Sequence, residues 1–103
     1  MTPEGKVKRA IRAVLNKHAE HVYVHMPVPG GYGRSALDYI GFCCGLGFAV
    51  EAKRQGGEPT ERQQGVIEDM ERGGGKVFVI DGPPGLQELD EWLTTVVEAK
   101  ASR

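Results

Sequence analysis

The sequence predicts an α/β domain: a mixed central β-sheet flanked by helices, in the order α-β-β-β-α-β-α. Three observations predict it. Helical and strand periodicities alternate along the chain. Two apolar runs separated by Gly45 suit a β-hairpin, the antiparallel part of the sheet. A helical segment then lies between the second run and a later apolar strand, which allows a parallel crossover.

Each element has a local cause. Thr2-Pro3 reads as an N-cap followed by a first-turn proline, and Val7, Ile11, Val14, Leu15 and His18 recur at helical spacing, so a helix is expected over about residues 3–19. Glu4 falls on that stripe. Lys6, Lys8, Arg9, Arg12 and Lys17 are expected mostly on the other face. His21 to Met26 alternates as a first strand, and Pro27 to Gly33 breaks it into a loop. Residues 36–43 and 46–53 form the hairpin, with Gly41 and Gly47 as bulges or points of close approach. Thr60 is expected to cap a second helix, with Val66, Ile67 and Met70 on one stripe and Gly73-Gly74-Gly75 at its end. Lys76 to Ile80 is nearly all apolar and reads as a buried strand. Asp81 to Gly85 is expected to turn. Leu86, Leu89, Trp92, Leu93, Val96 and Val97 then make a last amphipathic helix.

The 103 residues suffice for one domain with one core. No apolar stretch approaches the roughly 20 residues that span a bilayer, and the first residues lack a signal-peptide core. A cytoplasmic location is expected. Cys43 and Cys44 are adjacent, too close for an unstrained disulfide, so both are expected as free thiols, with at least one in the core. The net charge is −1, but residues 1–62 carry nine Lys/Arg against six Asp/Glu, and the rest carry four against eight. Any electrostatic footprint for phosphate is therefore local to the first part. A solvated basic helix face is the simpler reading of that charge alone.

Chemistry concentrates at Asp38 and at Glu51-Ala52-Lys53. In a strand, residues two apart share a face, so Glu51 and Lys53 project side by side. The hairpin brings Asp38 beside them. Two carboxylates and a lysine suit a hard cation such as Mg²⁺ or Mn²⁺ and a phosphodiester. Taken singly, Asp38 is also a solvated strand-edge acid, and Glu51 with Lys53 a surface ion pair. Together, at the ends of adjacent strands, they favour a site. Gln63 shares the core-facing stripe of the second helix, where an amide meets something polar, although an exposed first-turn glutamine is equally consistent. Glu4 either complements the helix dipole or reaches the site. Tyr32, Arg34 and Ser35 lie in a Gly-rich loop able to follow a nucleic-acid backbone, or merely to connect. Lys6, Lys8, Arg9, Arg12, Arg34 and Arg54 are candidate phosphate contacts. His18, His21 and His25 are expected to be structural.

These residues resemble a known family. Asp38, Glu51-Ala52-Lys53, Pro59-Thr60-Glu61-Arg62-Gln63 and Gly74-Gly75-Lys76-Val77-Phe78-Val79-Ile80 are similar to the VRR-NUC (virus-type replication-repair nuclease) family of the PD-(D/E)XK nuclease superfamily, especially its short, stand-alone bacteriophage members. Leu37 stands where the superfamily name has a proline. The resemblance implies a restriction-endonuclease-like fold and a metal-dependent nuclease acting on DNA, with branched or structured DNA among its substrates. It implies Asp38 and Glu51 as metal ligands with the Ala52 carbonyl as a third, Lys53 as the catalytic lysine, Gln63 as a supporting helix glutamine and Glu4 as a first-helix acid. It also implies a homodimer. The competing expectation is a non-catalytic nucleic-acid-binding module of the same fold.

Overall fold

The computed structural model describes residues 1–28 and 36–102. Seven elements follow in order: α1 (Pro3–Lys17), β1 (Val22–His25), β2 (Tyr39–Cys43), β3 (Leu46–Ala52), α2 (Glu61–Arg72), β4 (Lys76–Ile80) and α3 (Pro83–Ala101). The four strands form one mixed sheet in the order β1-β2-β3-β4. β1, β2 and β3 are antiparallel neighbours, and β3 pairs with β4 in parallel across the α2 crossover. Architecture, element order and crossover agree with the sequence.

The hairpin fixes the register of the site. Cys44 and Gly45 have φ of 51° and 87°, both left-handed, as the tightest two-residue hairpin turn requires. Cys43 then pairs with Leu46 and Tyr39 with Val50, so Asp38 and Glu51 fall opposite each other just past the last pair. Gly41 is a point of close approach, because an added Cβ would lie 2.0 Å from the Tyr23 carbonyl oxygen. Gly47 is neither bulge nor close approach: the register runs through it unbroken, and an added Cβ would meet only the Phe42 ring, at 3.8 Å.

The sheet separates two apolar layers. Tyr39, Cys43, Phe48, Val50, Ala52, Phe78 and Ile80 face α1 and α3, where Ile11, Leu15, Leu89, Leu93 and Val96 complete the larger core. On the other face, Leu37 and Ala49 pack with Ile67 of α2, flanked by Ile40, Val66, Met70 and Val77. Alternate strand residues thus bury on opposite faces, as the pleat dictates.

Three local expectations change. β4 is not buried throughout: Phe78 and Ile80 are in the larger core and Val77 is half-buried on the α2 side, while Lys76 and Val79 are exposed. Pro83 and Pro84 open α3 rather than precede it, because proline's fixed φ and missing N–H suit a first helical turn. All six apolar residues of α3 pack into or against the larger core, with Trp92 edge-on to Phe78 and tilted against Phe48. No apolar surplus is left on that helix.

Both cysteines are free thiols, Cys43 buried and Cys44 half-buried. Burial, then the neighbouring Cys44, pushes the Cys43 thiol up to about 11, which keeps it protonated and unreactive at neutral pH. His18 is structural, as expected. Its Nε2 lies 2.6 Å from Asp90 Oδ1, and Lys17 Nζ donates to Asp90 Oδ2 at 2.9 Å, so the end of α1 is tied to α3. No described helix is long and apolar enough to cross a membrane.

Candidate active site

Asp38 and Glu51 close the open end of the hairpin by a reciprocal exchange. The Asp38 N–H donates to Glu51 Oε1 at 3.1 Å, and the Ala52 N–H donates to Asp38 Oδ2 at 2.8 Å. Each carboxylate thereby replaces a ladder partner that the ended β2 no longer supplies. Both acids are held by backbone and oriented before any ligand arrives. A residue's own N–H and C=O point to one side of an extended strand. The Ala52 carbonyl is therefore directed to the Asp38 side, while the Lys53 N–H turns the other way, to the Ile80 carbonyl at 2.9 Å.

Lys53 projects on the same face as Glu51, as the two-residue spacing predicts. Its Nζ lies 3.5 Å from Glu51 Oε2, and its side chain is 14% exposed. Gln63 reaches the same oxygen, donating from Nε2 at 2.8 Å. The two readings of Gln63 prove compatible. Its backbone N–H donates to Thr60 Oγ1 at 3.2 Å, and its Oε1 accepts from the Thr60 N–H at 2.9 Å, a complete capping box. With Oε1 committed to the cap, the NH₂ end of the amide faces Glu51. One side chain starts the helix and orients the acid.

Glu51 is 4% exposed, the one charged residue that is buried among the described residues. Burial, then the Asp38 charge, pushes its carboxyl above the ordinary range, while the hydrogen bond from Asp38 N–H and the Lys53 ammonium pull it back. A buried acid facing a second acid needs compensating positive charge, which Lys53 supplies at 3.5 Å from Glu51. The donor set fits a hard cation: two carboxylates and a main-chain carbonyl on one side of the strand end. Among the described residues no group of three or more His, Cys, Asp or Glu side chains is arranged to hold a metal.

Glu4 reaches this cluster only through Lys8. Lys8 Nζ lies 3.8 Å from Glu4 Oε2 and 3.6 Å from Asp38 Oδ1. The sequence reading placed Lys8 on the outer face of α1. It instead turns inward at the edge of the core stripe, because four residues on from Glu4 is one turn plus only about 40°. That wheel position was the available signal, masked by the lysine's neighbours Lys6 and Arg9. Lys6, Arg9, Arg12 and Arg54 are exposed, as phosphate contacts must be. Tyr32, Arg34 and Ser35 lie outside the described residues.

No protein-family model matches the chain, and no curated protein matches it. A solved structure titled VRR_NUC domain does match, with a TM-score of 0.73 and 23% identity, over 88% of this chain and 97% of that one. The sequence resemblance and the independent structural match agree: this chain has the fold of the VRR_NUC domain.

Proposed function

We propose that the protein is a divalent-metal-dependent nuclease that hydrolyses DNA phosphodiesters, branched or structured DNA included. One observation carries the reading: the Asp38 N–H fixes Glu51 and the Ala52 N–H fixes Asp38, with Lys53 and Gln63 both directed at Glu51 Oε2. A purely structural strand end has no need of a buried, destabilised carboxylate with three partners. The VRR_NUC fold supports the same reading.

Asp38, Glu51 and the Ala52 carbonyl would hold Mg²⁺ or Mn²⁺. When bound, the ion supplies charge that acidifies water and offsets the charge gathering on the phosphoryl oxygens. Lys53 presents an ammonium beside that position, pre-oriented by Glu51, to meet charge developing in the transition state. Gln63 keeps Glu51 from rotating. Lys6, Arg9, Arg12 and Arg54 offer exposed cations for the DNA backbone, and Tyr32, Arg34 and Ser35 belong to the proposed contact loop. The protein acts as a homodimer in this reading, since one small domain covers little of a duplex. Support comes from the hairpin rather than from α3: Phe42 and Leu46 are exposed there, beside Tyr23 of β1.

Incubation with linear, nicked and branched DNAs, in Mg²⁺ or Mn²⁺ and in chelator, tests the proposal. Cleavage should require the ion and vanish in Asp38→Asn and Glu51→Gln. DNA binding without cleavage of any substrate would overturn it in favour of a non-catalytic binding module.

A further inference from the structure

The oxygens of the acid pair are unequally engaged. Glu51 Oε1 accepts from the Asp38 N–H, and Oε2 accepts from Gln63 with Lys53 close by. Asp38 Oδ2 accepts from the Ala52 N–H. Among the described residues, Asp38 Oδ1 alone of these four accepts no hydrogen bond, and its charged neighbour is the Lys8 ammonium at 3.6 Å. The same ammonium lies 3.8 Å from Glu4 Oε2, between one carboxylate on α1 and one just before β2.

The position of Lys8 is built rather than incidental. The Tyr39 hydroxyl donates to the Lys8 carbonyl at 3.4 Å, which ties this turn of α1 to the residue after Asp38. The side chain remains 39% exposed. Both contacts exceed the roughly 2.7–2.9 Å of a charge-assisted hydrogen bond. The ammonium is thus an electrostatic neighbour on a flexible stem, free to swing outward without breaking a hydrogen bond.

We propose that Lys8 is a resident counter-ion of the acidic site, which a divalent cation must displace from Asp38 in order to bind. The inference rests on the metal reading given above. Asp38 Oδ1 is the oxygen with most capacity left for a cation, and it is the oxygen that Lys8 covers. A divalent ion there meets a like charge at close range, so the lysine lowers its affinity. Once displaced, the ammonium is available to a phosphate entering the same cleft. A phosphate that takes Lys8 away from Asp38 in turn strengthens metal binding, since coupling between two ligands is reciprocal. The lysine thereby makes metal and DNA bind together better than either binds alone.

Calorimetric titration with Mn²⁺, without DNA, tests this on the full chain. Wild type, Lys8→Met, Lys8→Gln and Lys8→Arg would be compared, with Lys100→Met on α3 as a control for net charge. Loss of the charge at position 8 should tighten Mn²⁺ binding about tenfold in both the Met and Gln variants. Lys8→Arg should stay near wild type, and Lys100→Met should change little. Measurable binding by Lys8→Met alone, with none by wild type, would support the competition in its strongest form. Binding by wild type that is unchanged or weaker in both neutral variants would overturn the inference and leave the metal reading standing. An equal gain in Lys100→Met would also overturn it, reducing the effect to net charge. Binding by none of the proteins would overturn the metal reading and this inference together.

Discussion

Lys53 couples chemistry to folding at a single residue. Its side chain is mostly shielded from water, and its ammonium lies 3.5 Å from the buried Glu51 carboxylate. Lys53→Ala is expected to abolish cleavage, because no other group replaces that point charge beside the strand end. It is also expected to lower stability in chelator by about 1–2 kcal/mol, since it leaves Glu51 facing Asp38 with less compensation. Although Lys53 lies outside both apolar clusters, its shielded pairing with Glu51 gives its removal a stability cost. Mn²⁺ should restore most of the lost Tm if Asp38 and Glu51 bind the ion. Thermal melts with and without Mn²⁺, alongside cleavage assays, check both parts. Full activity in the variant would remove Lys53 from the site.

At the scale of elements, caps and clamps place the site residues. Thr60 starts α2 and fixes the turn from which Gln63 reaches Glu51. Thr60→Ala is expected to cost about 1 kcal/mol, the usual value of an N-cap. Cleavage should fall further than stability accounts for, because the Gln63 amide loses its fixed turn. Thr60→Ser retains the hydroxyl and should recover both Tm and rate; a rate that fails to follow would disconnect the cap from the site. The α1–α3 clamp sets the seat of α1, and with it Glu4 and Lys8. Hydrogen bonds from His18 and Lys17 hold the Asp90 carboxyl below its ordinary range. A lowered folded-state pKa contributes stability that is full above the unfolded value, about 4, and is lost as pH falls through the folded one. The Tm difference between wild type and Asp90→Asn should therefore be full near neutral pH and should close in acid. A gap that widens below about pH 4 would contradict the assigned sign.

For the whole molecule, the basic residues and the assembly are the measurable properties. Lys6, Arg9, Arg12 and Arg54 are exposed on the proposed DNA-facing part of the chain. Neutralising them together should weaken binding to all DNA sequences alike, and should flatten the salt dependence by roughly one in slope per lost phosphate contact. A loss confined to particular sequences would point to base readout. Light scattering at micromolar concentration is expected to give about twice the 11.2 kDa chain mass. The substitution Phe42→Glu on the exposed hairpin should return the mass to that of one chain. A monomer in the unsubstituted protein would remove the dimer from the reading.

Much of this arrangement was legible in the residues because it depends on short-range rules. Periodicity placed all seven elements. A two-residue turn at Cys44-Gly45 sets a register in which position 38 faces position 51, and the strand period puts Lys53 beside Glu51. Thr60 and Gln63 carry a capping box that is local by nature. What sequence left open depends on which surfaces meet. Whether Gln63 faces solvent or Glu51 is decided by packing of α2 on β3 and β4. Lys8 stands at the edge of the α1 stripe, and which carboxylates it meets there is decided by how α1 packs beside Asp38 and Tyr39. Val79 is exposed because the α2-side layer packs on Val77 but does not extend to it, and the apolar width of α3 is absorbed because Phe48 and Phe78 both receive Trp92. Local geometry determined which groups this chain can offer; only the tertiary contacts decided which of them share one site, because burial and charge pairing arise between elements distant in sequence.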